Sequence, residues 1–314
     1  MRRALKPVLQ IAMPDSPTLI HGLPADPGSM LDLLAQGFAQ PEQRLQRQAI
    51  ADALAGSARD DFVCVRALCG STLAGAALAQ QLPGRTAAVY GPQVIDSAAA
   101  ALAMQLLMAV EEAIRRAGTR LAQSLLGIDQ FREQRRLVDS GYVNAATLLY
   151  MVCDMAAFPA APPEISLVLE PVTAELEARL NCVIESSYQD TLDCPLLNGL
   201  RTTDDVLEGY RAVGVYRPEL WLLAQRGDED VGCLLLADHP QLDNLELVYV
   251  GLTPALRGQG LGLVLTRQAQ WLARQLGRRR MVLAVDAANA PAIALYEQAG
   301  FLGFDQRLVL IKRL

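Results

Sequence analysis

Leu245-Glu246-Leu247-Val248-Tyr249-Val250-Gly251-Leu252-Thr253-Pro254-Ala255-Leu256-Arg257-Gly258-Gln259-Gly260-Leu261-Gly262 runs from an apolar strand, past a proline, into a glycine-rich turn. Apolar residues first alternate and then become continuous from Val248 to Leu252, so residues 245–252 read as a half-buried strand. After the turn, an apolar stripe at helical spacing marks a helix over residues 260–276. Glycines at 258, 260 and 262 permit positive φ and let another molecule approach the backbone closely. The free N–H groups and dipole of a helix start suit an anion, and Arg257 adds a positive charge beside it. A pyrophosphate fits such a cradle. The stretch lacks the Gly-Lys-Ser/Thr ending of a P-loop, and it lies too late in the chain, after an antiparallel meander, for a dinucleotide-binding unit.

Working outward, residues 165–169 read as a strand, and residues 173–187 and 202–212 as helices, with Asp204 and Asp205 in the first turn of the second. Residues 220–225 and 231–237 read as strands joined by the acidic turn Gly227-Asp228-Glu229-Asp230. Beyond the glycine turn come a strand at 281–285, a helix at 290–299 and a last strand at 308–311.

The first half repeats the later part of this order. Strands are expected at 62–67, 73–79 and 87–90, a helix at 97–116, a strand at 121–126, a helix at 130–139 and a strand at 147–152. Pro92 precedes Gly141-Tyr142 by 49 positions, as Pro254 precedes Gly300-Phe301 by 46. Phe158-Pro159-Ala160-Ala161-Pro162-Pro163 has the composition of a linker. The expected domains are therefore residues 1–157, a linker at 158–163, and residues 164–314.

A chain of 314 residues suits two domains. Its 52% hydrophobic content supplies two cores, and with only 5% aromatics Leu, Ala and Val must fill them. A net charge of -6 argues against a nucleic-acid partner. Met1-Arg2-Arg3 is not followed by the apolar segment of a signal peptide, and residues 98–110 fall short of the ~20 residues of a membrane span. The six cysteines form no CxxC pair and no zinc-type cluster with His21 or His239, so no metal is expected and the thiols read as reduced, in a cytoplasmic protein.

The glycine turn resembles the signature of the GNAT acetyltransferase family, Gln/Arg-x-x-Gly-x-Gly/Ala after a strand ending near proline, here Arg257, Gly260 and Gly262. A second family feature lies downstream, an Asn followed seven positions later by a Tyr and then Gly-Phe: Asn289, Tyr296, Gly300 and Phe301. The local pattern is similar to that of the mycothiol synthases, a tandem branch of the family, which carry a Glu eight positions before the proline, as Glu246 precedes Pro254. The likeness is specific over residues 245–301 and loose elsewhere.

This resemblance implies an α/β fold of two tandem GNAT-like domains, each a mostly antiparallel sheet flanked by helices. It implies acetyl-CoA as co-substrate and a small-molecule primary amine as acceptor. The strand at Val250, Gly251 and Leu252 would splay and take the pantetheine arm. Arg257, Gly258, Gln259, Gly260, Leu261 and Gly262 would hold the pyrophosphate, with Asn289 as a cofactor contact or a helix N-cap. Glu246 would act as base and Tyr296 as acid. Without those roles, Glu246 is an exposed strand residue and Tyr296 a packed aromatic. The loop Asp193-Cys194-Pro195-Leu196-Leu197-Asn198 lies where the family builds an acceptor wall, and Cys194 reads as a substrate contact or a buried thiol. In the first half, Gln93-Val94-Ile95-Asp96-Ser97-Ala98-Ala99 has no Gly-x-Gly, so that half is expected to be non-catalytic. A catalytically silent acyl-CoA-binding protein and a protein or peptide N-acetyltransferase are the competing functions. Oligomeric state is left open.

Overall fold

The structure, a computed structural model, describes residues 17–38, 40–96 and 99–314. Met1-Arg2-Arg3 and the pair Ser97-Ala98 at the head of an expected helix lie outside the described residues. Two compact units separate by density of contacts: residues up to Gln80 together with Tyr90–Ile114, and Gln81–Val89 together with Arg115–Leu314.

The first unit contains β1 (Thr18–His21), α1 (Gly28–Ala35), α2 (Gln40–Gly56), β2 (Phe62–Cys69), most of β3 (Thr72–Leu82), the end of β4 (Thr86–Val94) and most of α3 (Ala100–Arg116). β1, β2 and β3 pair antiparallel. Met30, Leu31 and Leu34 of α1 and Ile50 of α2 pack on Phe62, Cys64, Ala76 and Leu78 of the sheet. α3 buries Leu102, Leu106, Leu107 and Val110, a stripe at helical spacing. It lies so close to β3 that a Cβ at Gly75 would stand 2.8 Å from Leu106 Cδ1. The strand expected at 87–90 runs on through Gly91-Pro92 to Val94. β1, α1 and α2 have no counterpart among the expected elements.

The second unit adds, in chain order, β5 (Leu121–Gly127), α4 (Phe131–Asp139), β6 (Val143–Asp154), β7 (Val168–Pro171), α5 (Glu177–Ser187), α6 (Thr203–Arg211), β8 (Trp221–Arg226), β9 (Glu229–His239), β10 (Asn244–Leu252), α7 (Leu261–Gln275), β11 (Arg280–Asp286), α8 (Ala290–Gln298) and β12 (Leu302–Arg313). Its strands form a large mixed sheet in the order β5-β12-β6-β11-β10-β9-β8-β7, with the start of β4 beside β5. The β10–β11 pair is parallel, while β7 through β10, and β11 through β6, β12 and β5, pair antiparallel.

The order interleaves the two sequence repeats. The last strand of the first repeat, β6, pairs with β11 and β12 of the second, and β12, the last strand of the second, pairs with β5 of the first. Met151 and Cys153 of β6 accordingly sit in one core with Leu245 and Leu247 of β10, Met281 and Leu283 of β11, and Tyr296 and Phe301. This pairing explains why β12 is much longer than the apolar run at 308–311. Its polar residues Asp305, Gln306 and Arg307 are held in ladders with β6, and Arg307 with β5 as well.

Local chemistry sets the other boundaries. Thr202 caps α6, accepting from the Asp205 N–H at 3.2 Å while Asp205 accepts back from Thr202 N–H. The β8–β9 turn is only Gly227-Asp228, with Gly227 at φ +62°, because Asp230 is drawn into the strand by Arg179, which donates to it at 2.8 and 2.6 Å.

Candidate active site

β10 and β11 are hydrogen-bonded neighbours only from Asn244–Arg280 to Leu247–Leu283. A bulge at Val248 then shifts the register of β10 against β9 by one residue. An extra residue of this kind bends the strand and raises its twist. Beyond it, Val248–Leu252 and Ala284–Asp286 are no longer paired in the β10–β11 ladder. A cavity of about 620 Å³ occupies the separation, lined on one side by Leu247 to Leu252 and on the other by Ala284 and Val285.

The glycine turn closes the same cavity. Gly258 and Gly260 adopt φ +73° and +77°, and a Cβ on either would meet nothing within 4 Å. The space beside them is open, and their conformation disfavours any other residue. Gly260 is the N-cap of α7 and brings no side chain to satisfy the first N–H groups. Leu263 and Val264 N–H turn back to the Gly260 carbonyl, while Leu261 and Gly262 line the cavity. Gly262 has a second constraint: a Cβ there would stand 2.7 Å from Leu295 of α8. Its smallness serves helix packing as much as the cradle.

Arg257 lines the cavity, but its guanidinium donates to the carbonyls of Ser187 at 2.7 Å, Gln189 at 2.8 Å and Leu252 at 3.3 Å. It ties the end of α5 to the end of β10. Gln259 is exposed and bonds Ala255 O and Arg226. Asn289 caps α8, its Oδ1 accepting from Ala292 N–H at 3.3 Å, and also lines the cavity.

Tyr296 is 7% exposed and stacks edge-on against Phe301 at 5.8 Å, yet it borders the cavity. Burial, reinforced by the nearby Asp193 carboxyl, pushes its hydroxyl far above the ordinary tyrosine range, so it stays protonated. Glu246 lies on the other face of β10 from the core residues Leu245 and Leu247, with its side chain 32% exposed. Glu246 is not among the residues that line the cavity, whose β10 wall begins at Leu247.

His239 and Tyr249 carry no role in the sequence reading, whereas Asp193 and Cys194 belong to the loop expected at the acceptor wall. His239 Nε2 lies 2.8 Å from Glu246 Oε2. The hairpin register could have revealed it, since His239 pairs with Asn244 and Ala237 with Glu246, which puts 239 and 246 diagonally on one face. Tyr249 lines the cavity and shares a 2.7 Å hydrogen bond with Ser187. Asp193 borders the cavity too, and its Oδ1 accepts from Asp286 N–H at 2.9 Å. Burial raises its carboxyl above the usual range. Cys194, next to it, holds φ +46°, and burial pushes its thiol up to about 12, which leaves little thiolate.

Residues 186–301 match the Acetyltransferase (GNAT) family. Mycothiol acetyltransferase of Corynebacterium glutamicum is 40% identical over 87 residues, covering 27% of this chain and 29% of that protein. Mycothiol acetyltransferase of Jonesia denitrificans is 38% identical over 78 residues, a quarter (25%) of each chain. These alignments span less than a third of the relatives' lengths. In structure, a GCN5-related N-acetyltransferase from Sphaerobacter thermophilus aligns over 94% of this chain and 95% of its own, with TM-score 0.61 at 19% identity. A tandem GNAT protein from the clavulanic acid biosynthesis pathway aligns over 94% and 98%, with TM-score 0.51 at 14% identity. At such identities the likeness is one of fold. The likeness to the GNAT acetyltransferase family is therefore one of sequence over residues 186–301 and one of fold over nearly the whole chain.

Proposed function

We propose that this chain is an acetyl-CoA-dependent N-acetyltransferase acting on a primary amine of a small molecule. The observation that carries the reading is that the parted strands and the helix N-terminus open onto one cavity. A ligand with an extended amide-bearing arm and a pyrophosphate would satisfy both. The arm would take the backbone groups of Val250, Gly251 and Leu252 as an added strand does. The pyrophosphate would take the N–H groups of Gly258 to Gly262, where open space flanks Gly258 and Gly260. When bound, acetyl-CoA supplies an activated acetyl thioester.

The chain's own residues divide the remaining work. Glu246 removes a proton from the acceptor ammonium, directly or through water, and so generates the nucleophile. A backbone N–H of the parted stretch of β10 donates to the charge that develops on the acyl oxygen. Tyr296, kept protonated by burial, donates toward the departing sulfur. The name of the curated relatives, mycothiol acetyltransferase, favours a small acceptor over a protein one. Residues 1–157, without a glycine turn, form the non-catalytic half in this reading.

The test is acetyl transfer from acetyl-CoA across a panel of small amines, with Glu246→Gln alongside. Turnover should fall about 100-fold or more in the variant, within the usual range for loss of a general base, while the dissociation constant for CoA stays within twofold. Tight CoA binding by the wild type with no product from any amine would make the protein a binder instead.

A further inference from the structure

We infer that His239 is the positioning residue for Glu246, an inference that rests on the acetyltransferase reading of the site. The 2.8 Å contact joins His239 Nε2 to one carboxylate oxygen, Oε2. An ionised carboxylate only accepts, so the neutral imidazole must carry its proton on Nε2. That bond fixes the rotation of the carboxylate and leaves Oε1 for the acceptor amine.

The surroundings hold the imidazole in place. Asp238, the preceding residue, is 3% exposed and its carboxylate accepts from Arg278 Nε at 2.7 Å and from Arg217 at 3.4 Å. Its backbone exchanges hydrogen bonds with Val215, at 2.7 and 3.3 Å. This bridge brings the turn at Gly214, with φ +55°, against both the strand and the ring: a Cβ there would lie 2.7 Å from the Asp238 carbonyl oxygen, 2.8 Å from His239 Cε1 and 2.9 Å from Nε2. The positive φ and the Asp238 carbonyl already call for glycine at 214, and the ring packs in the space it leaves.

Two measurements test the inference. The chain has only two histidines, His21 and His239, so nitrogen NMR of the ring resonances, assigned with His239→Gln, reads the tautomer directly. The expected result is Nε2–H for neutral His239 in the wild type, with an Nε2 chemical shift that moves in Glu246→Ala, which removes the acceptor. A neutral Nδ1–H form in the wild type would overturn the inference, whether or not the chain turns over. In kinetics, His239→Leu should lower kcat roughly tenfold with KM for acetyl-CoA unchanged, as expected for one charge-assisted hydrogen bond. His239→Gln, which keeps an N–H donor, should recover most of that loss. Wild-type kcat in His239→Leu, or equal losses in both variants with a raised KM for acetyl-CoA, would also overturn it. Failure of the wild type to acetylate any amine would instead remove the functional reading, and the tautomer would still decide the pairing.

Discussion

Tyr296 combines two properties that rarely meet in one side chain. It is a core residue stacked on Phe301, and it is a cavity wall. Removing only its hydroxyl separates them. Tyr296→Phe should keep the melting temperature within a few degrees and lower kcat about tenfold or more, with CoA affinity unchanged; steady-state kinetics and a binding titration measure this. A different residue governs stability. Asp238 is held below the ordinary carboxylate range, chiefly by its hydrogen bonds from Arg278 and further by Arg217, against the opposing effect of its own burial. A depressed carboxyl contributes stability above its unfolded value of ~3.9, and the contribution is lost as pH falls through the lower folded value. Asp238→Asn should therefore cost about 3 kcal/mol at neutral pH, typical for breaking a buried pair, and the difference from wild type should shrink below about pH 4 in urea denaturation.

At the level of elements, the glycine turn, the strand before it and the two helices after it were legible in the sequence, because their signals are local. Pro254, the positive-φ glycines and the Asn289 cap each act within a few residues. The bulge at Val248 was not legible, since it is a mismatch between β10 and β9 that no single strand's pattern carries. The brace made by Arg257 was hidden for a similar reason: its acceptors at Ser187 and Gln189 lie 70 and 68 residues away. Gly260 offers the sharpest test at this scale. Ala at 260 must hold φ +77° and projects a methyl into the open space beside the cradle. Gly260→Ala should raise the CoA dissociation constant at least tenfold in calorimetry, while the strain, of order 1–2 kcal/mol, lowers stability only modestly.

For the whole molecule, the sequence repeat was visible as an order of elements, but the partners of β6 and β12 were not. Periodicity says that a run is a strand; it does not say which edge receives it. Here β6 fills the space between β11 and β12, and Met151 and Cys153 belong to the core beneath Glu246's strand. A fragment of residues 164–314 would expose one edge of β11 and both edges of β12, and lose those core side chains. It should be insoluble or show no cooperative melting by circular dichroism, whereas truncation of a large core side chain such as Met151→Ala in the full chain should cost only about 2–5 kcal/mol.

The interleaving has a practical corollary. Ala160 and Ala161 are exposed, so a protease site engineered between them can be cut in the native protein. The two pieces would remain associated, because the strand ending at Asp154 stays locked between two strands of the other piece. Produced separately and refolded together, residues 1–160 and 161–314 would then behave as complementing halves of a split enzyme, with catalysis restored only on reunion.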